Sequence, residues 1–451
     1  MMKKSMWSVI ALMMTAWVSS CSGSDDDSPI VTVCPVDTTQ TTVTPPENLT
    51  LTRAEQQMVG ASNEFAFRLF RAVTTPEESA AASTGYLRES KSVILSPISV
   101  TYALGMLNNG AAGETQQQIN KVLGFGETGA DGINNFCYKM LKGATNLDEK
   151  TKVMIANTIF MNSDLGFDLF PAFVSKAKAF YEAEPESRSF SDGKTRDVIN
   201  QWASDHTAGM IKEVLKENEF SEKAVSYLLN AIYFKGTWAK QFEKRQTRNE
   251  EFIHPGYTKE QKTVPMMHRY STFAYAENAL CQALNLPYGN GSYQMTILLP
   301  KSQSENDMKT GADIDRLLQS LTDESWQELQ QQMDSSSVDV KLPRFESMTE
   351  ADLKTVMSRL GMPKAFDPEK AEFPQFCPKP TYIDLMKQVA KIKLDEEGTE
   401  AAAVTVVGMV ESSLGGPEPQ YIVFHAYHPF VYVISEKSTG AIFFIGQYTG
   451  Y

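Results

Sequence analysis

Apolar residues recur at helical spacing after Thr52: Phe65, Leu69, Phe70 and Val73 fall on one stripe, and Thr52 with Glu55 forms a capping box, so an amphipathic helix begins there. Ser96-Pro97 then places a capping hydroxyl before a proline at the first helical position. The run that follows, "ISVTYALGML", is apolar all round, which predicts a buried helix ended by Asn109-Gly110. Thr115 and Gln118 box the next helix, "QQQINKVL", and Gly124 stops it. The rhythm then changes. "VMIANTIFM" (153–161) and "YLLNAIYF" (227–234) are apolar on both faces, as central strands of a covered sheet are. Each carries one asparagine, Asn157 and Asn230, that must find hydrogen-bond partners inside the core. "MTILLP", "VDVKLP" and the closing pair "FVYVIS" and "AIFFIG" supply further strands. Helices cluster early and strands late, with no internal repeat, so the fold class is α+β rather than doubly wound.

The N-terminal region follows neither rhythm. Lys3 and Lys4 precede an apolar stretch from Met6 to Val18, the layout of a secretory signal peptide over residues 1–20 and too short to span a bilayer. Val18-Ser19-Ser20-Cys21 resembles a bacterial lipobox, which would make Cys21 the lipidated first residue of the mature chain; a plain signal peptide is the alternative. "SGSDDD" resembles the acidic tether of surface lipoproteins of Bacteroidetes, and its other reading is a solvated linker. Residues 21–48 are too poor in large apolar groups to pack and read as a flexible tether, with the folded part over 49–451. The expected location is therefore the outer-membrane surface or the periplasm. A net charge of −13 with scattered Lys and Arg argues against nucleic acid as a partner. Cys34, Cys137, Cys281 and Cys377 form no Cys-x-x-Cys pair, and export permits a disulfide without demanding one.

Catalytic and ligand motifs are few. Gly124 to Gly129 matches the dinucleotide fingerprint in form, but a helix precedes it where that motif needs a strand, so a helix stop and turn is the better reading. His425 and His428 are three apart in a strand-like run and would face opposite sides, which argues against a shared metal. There is no His-Glu-x-x-His, Gly-x-Ser-x-Gly or phosphate loop, so neither an enzyme activity nor a cofactor is expected.

The unusual stretch is "EEGTEAAAVTVVGM" (396–409). Its charges sit in the first five residues, and Ala401 to Val410 then carry none, directly before the exposed-looking "ESSLGGPEP". As a strand, Thr399, Ala401, Ala403, Thr405 and Val407 would share an uncharged face, so the stretch could enter the middle of a sheet without burying a charge. An ordinary strand already in a sheet is the competing reading.

"KIKLDEEGTEAAA" is similar to the hinge of the serpins, and the resemblance extends over about Leu49 to Tyr451. "NEFAFRLF", "SVILSPISVTYALGMLNNGAAGETQQQINKVLGF", "LLNAIYFKGTWAKQF", "VKLPRFE" and "HPFVYVISEKSTGAIFFIGQ" match serpin blocks in serpin order. The resemblance implies helices over three β-sheets with an exposed reactive loop, and a monomeric suicide-substrate inhibitor of serine proteases, and in some cases of papain-like cysteine proteases. After cleavage the loop inserts into the main sheet and traps the acyl-enzyme. A non-inhibitory serpin-fold binding protein is the alternative.

By the same resemblance Glu396, Glu397, Gly398, Thr399, Glu400, Ala401, Ala402 and Ala403 form the loop hinge. Ser96, Ser99 and Asn230 belong to the polar cluster where the sheet opens, and Trp238 lies near the first point of loop entry. Gln388 stands where the family usually has histidine, so that node cannot titrate near neutral pH. Hinge spacing puts the scissile bond at Ser412-Ser413, with Glu411-Ser412 one step away. Ser412 after Val410 and Met409 suits an elastase-like or subtilisin-like protease, and the lack of a basic residue between Gly398 and Tyr421 disfavours trypsin-like ones.

Overall fold

The computed structural model describes residues 48–75, 91–126, 128–144, 146–254, 262–399 and 421–450. Cys21, Cys34, Glu400, Ala401, Ala402, Ala403, Glu411, Ser412 and Ser413 lie outside them, as do the signal segment and almost all of the tether.

The early helices are α1 (Arg53–Thr74), α2 (Pro97–Asn108), α3 (Gly113–Leu123), α4 (Ala130–Ala144), α5 (Pro171–Tyr181) and α6 (Thr195–His206). The capping box at Thr52 is formed in both directions, with Thr52 N donating to Glu55 and Glu55 N to Thr52 Oγ1. Every residue of α2 is buried, as its all-round apolar sequence requires. Two N-terminal readings are corrected. Ser96 starts α2 but makes no side-chain cap bond; its backbone N–H donates instead to Gln388 Oε1. For α3 the first residue is Gly113, so Thr115 lies inside the helix and no box with Gln118 forms. The distant Glu372 carboxylate accepts the N–H groups of Glu114 and Thr115 in its place. Gly124 ends α3 in the left-handed region at φ 72°.

The strands are β1 (Val93–Leu95), β2 (Thr151–Asn162), β3 (Glu186–Arg188), β4 (Ser226–Thr237), β5 (Arg248–Phe252), β6 (Lys262–Glu277), β7 (Cys281–Pro287) and β8 (Tyr293–Pro300). They continue with β9 (Asp334–Pro343), β10 (Phe345–Asp352), β11 (Leu385–Leu394), β12 (Gly398–Thr399), β13 (Ile422–His425), β14 (Phe430–Glu436) and β15 (Ile442–Tyr448).

Hydrogen bonding groups them into two sheets. One runs β1-β15-β14-β8-β7-β6-β9-β13, with β5 also on β6; the other runs β10-β11-β12-β4-β2-β3. The resemblance implied three sheets, and the sixteen-residue β6 explains the difference. Its Lys262–Met266 half pairs with β5 and its Ala274–Glu277 end with β7, so one strand joins two of them.

Both faces of the six-stranded sheet are covered. α2 lies on one, within the main core. Ile199, Trp202 and Ala203 of α6 pack on the other, against Leu229 and Ala231 of β4 and Val389 of β11. Cys137, Cys281 and Cys377 are free and buried, and burial pushes the Cys281 thiol up to about 12.

Candidate functional site

The six-stranded sheet contains a seam. β11 and β4 are parallel neighbours from Leu385↔Tyr227 to Ala390↔Ile232, although about 150 residues separate them along the chain. A segment leaving β11 and turning back would run antiparallel to both. The chain does this over β12, where Thr399 pairs with Leu394 of β11 and with Gly236 of β4. The top of the seam is already wedged apart by two residues.

Gly398 makes the turn possible. Its φ is +153°, and a Cβ there would lie 2.1 Å from the carbonyl oxygen of Gly236. Thr399 is fully buried and its hydroxyl shares a 2.7 Å hydrogen bond with Tyr288 OH. Tyr288 stacks on Trp238 at 4.4 Å between centroids, and Trp238 Nε1 donates to Asp395 O while its backbone N–H donates to Glu397 O. The two glutamates before the turn are held inside. Glu396, 1% exposed, accepts from Thr247 Oγ1 at 2.7 Å and from Arg344 at 3.4 Å. Glu397 accepts from Lys244 Nζ at 2.5 Å.

Midway down the seam a polar rung crosses three strands, because Gln388, Asn230 and Asn157 are cross-strand partners. Gln388 Nε2 donates to Asn230 Oδ1 at 2.5 Å, to Ser99 Oγ at 3.1 Å and to Ser96 O at 2.9 Å. Ser99 Oγ donates to Asn230 Oδ1 at 2.6 Å, and Asn230 Nδ2 to Asn157 Oδ1 at 2.7 Å. The resemblance implied one polar cluster of Ser96, Ser99, Asn230 and Gln388, and the fold adds Asn157, read from the sequence only as a buried polar residue. Ser96 takes part through its backbone; its hydroxyl has no partner among the described residues.

The family model for "Serpin (serine protease inhibitor)" matches residues 60–450. The chain belongs to the serpin family. Serpin B6 of Pongo abelii is 33% identical over 80% of this chain and 93% of its own length. The leukocyte elastase inhibitor of Xenopus tropicalis is 32% identical over 87% and 99%. The native state of tengpin, a thermophilic serpin, superposes with a TM-score of 0.75 at 24% identity over 90% of this chain and 97% of that one. This serpin therefore shares a family of protease inhibitors and the serpin fold.

Several residues at the seam carry no motif. Lys387, 3% exposed on the α6 side of β11, donates to both carboxylate oxygens of Glu219 at 2.9 and 2.7 Å and to Glu350 of β10 at 3.2 Å. Two residues past Glu219, the Ser221 N–H donates to Tyr227 OH of β4 at 2.7 Å. One short segment thus grips both sides of the seam. Burial opposes ionisation of Glu219, but hydrogen bonds from Lys387 and the Lys216 backbone outweigh it and hold the carboxyl below its usual value. A lone lysine inside "LMKQVA" is the one signal in the sequence that could have marked Lys387. Tyr288, Lys244, Thr247 and Arg344 leave no such signal, because their partners are remote in sequence. His425 and His428 part company: His425 Nε2 lies 3.0 Å from Asp339, while His428 is buried near Asp313.

Proposed function

We propose that this serpin inhibits serine proteases as a suicide substrate, the segment after Thr399 entering the β11/β4 seam once it has been cut. The observation that carries the reading is β12, which runs antiparallel to two strands that are parallel to each other. Extending its register by whole residues sets Thr399–Gly408 against Leu394–Leu385 on one side and Gly236–Tyr227 on the other. Thr405 then falls opposite both Gln388 and Asn230, where a hydroxyl can take over the polar rung they now share. The same register turns odd residues toward the α2 side and even residues toward α6. Glu400 then falls opposite Lys393 and Lys235, and beyond it both faces are covered, so the rest of the strand needs uncharged residues, which Ala401 to Val410 supply. With about 1 kcal/mol per added backbone hydrogen bond, the new strand contributes on the order of 10 kcal/mol before ordering costs, comparable to the whole stability of a small domain.

An elastase-like or subtilisin-like target fits Ser412, Val410 and Met409, and the similar leukocyte elastase inhibitor supports that class. Incubation with pancreatic elastase or subtilisin is expected to give a complex that survives SDS. Complete cleavage of the chain with full recovery of protease activity would reject the proposal and favour a serpin scaffold that only binds.

A further inference from the structure

α6 covers its side of the six-stranded sheet only in part. Its packing reaches Ala156 of β2, Ala231 of β4 and Val389 of β11, and two rungs nearer Thr399 stand beyond it. Continuing the β11/β4 register, one rung is Met154, Tyr233, Lys391 and Met348, and the next is Lys152, Lys235, Lys393 and Glu346. Strand alternation turns all eight to the α6 side, the side of Ala231 and Val389. Met348 is 45% exposed, Lys152 and Lys393 are exposed, and Met154, Lys235 and Lys391 are partly so. Glu346 is taken by Lys391 at 2.6 Å, and among the described residues no carboxylate pairs with Lys152, Lys235 or Lys393. Lys152 and Lys235 are direct cross-strand partners, a like-charge pairing that lowers stability unless an anion joins it. Three unpaired lysines in one row are unexpected in a chain of net charge −13.

We propose that this face binds a short acidic peptide segment of another protein, its carboxylates on the row of Lys152, Lys235 and Lys393 and its apolar side chains on Met154 and Met348. The two rows cross the strands about 7 Å apart, two residues along each, so one segment lying across the sheet meets both. The chain's overall negative charge repels a long polyanion such as nucleic acid and confines the attraction to a short acidic stretch. The lysine row also straddles the seam. Lys235 is on β4 and Lys393 on β11, one residue short of Gly236 and Leu394, which flank Thr399. A segment held by both strands therefore clips the mouth of the seam while the chain is uncut. This consequence rests on the inhibitor reading, because it is the extended register that brings Glu400 between the same two lysines. Insertion and the acidic partner compete for them.

The test is fluorescence anisotropy with a labelled nonapeptide of three Glu-Glu-Leu repeats. Uncut parent protein is expected to bind it, less tightly as salt rises. The double variant Lys152→Met/Lys393→Met should bind at least tenfold more weakly with its melting temperature unchanged, since both side chains are exposed. Parent protein that has been cut and has inserted its segment should also bind at least tenfold more weakly. Absence of binding by the uncut parent, or equal binding by the double variant, overturns the proposal. Tighter binding of anionic lipid vesicles or of heparin than of the peptide, lost in the double variant, assigns the face to another class of partner and also overturns it. Inserted protein that binds as tightly as uncut protein overturns the clip at the seam mouth. Failure of the inhibitor reading shows separately, as release of active elastase, and the comparison of parent and variant still decides this surface.

Discussion

Thr399→Arg is expected to give a chain that elastase still cleaves but no longer stays attached to. In the uncut protein Thr399 is fully buried, between Leu394 and Gly236, with its hydroxyl on Tyr288 and the Trp238 ring beyond. Among the described residues that hydroxyl is hydrogen-bonded to Tyr288 and to no carboxylate, so a guanidinium there would be desolvated without an ionic partner, at a cost of several kcal/mol. Trapping is a race between insertion and deacylation, and each 1.4 kcal/mol added to the insertion barrier slows it about tenfold. Uncut protein relieves that cost by releasing β12 from the seam, so a penalty of about 3 kcal/mol falls on insertion, which must bury the charge, and shifts nearly all molecules to the cleaved, released branch. Densitometry of SDS gels should show the complex band reduced at least about tenfold while the cleaved band grows. Thr399→Ser keeps the hydroxyl and should retain the complex. Equal complex yields for Thr399→Arg and the parent would remove Thr399 from the mechanism.

The second large effect is expected at Asn230. Its amide oxygen accepts from both Gln388 and Ser99, and its nitrogen donates to Asn157, all four residues being buried. Asn230→Ala deletes one side chain and leaves three polar groups without that partner. Cost per orphaned buried group is about 1–3 kcal/mol, and groups in one network are not independent, so a loss of about 3 kcal/mol is a reasonable central value. Urea unfolding should show a clearly lower midpoint, whereas Asn249→Ala, at an exposed position on β5, should leave it in place. A midpoint unchanged by Asn230→Ala would mean that the rung does not hold the seam closed.

Much of this arrangement was legible in sequence, for identifiable reasons. Asn157 and Asn230 stood out because a polar residue inside a run that is apolar on both faces has to be satisfied, and Asn230 donates to Asn157, whose own amide nitrogen has no partner among the described residues. Gly398 was legible because a joint between charged and uncharged stretches needs backbone freedom. Local rules failed where the partner lay far along the chain. Glu372 caps α3 from 258 residues away, displacing the expected Thr115–Gln118 box. Ser96, expected to cap α2, meets Gln388 through its backbone, because the fold brings β11 beneath that helix start. Tyr288 and Lys387 act only through pairings that no window of neighbouring residues contains. The covering of the seam by α6 was equally invisible, yet it explains why the even positions from Ala402 onward are as free of charge as the odd ones.

Amide exchange, read by mass spectrometry on protein nicked once within residues 409–415, tests the central claim most directly. Insertion predicts that residues 400–408 become protected to the level of β4 and β11, while the melting temperature rises sharply. Rapid exchange of that stretch, with β4 and β11 exchanging as they do in the uncut protein, would show that the seam never opens and would contradict the account.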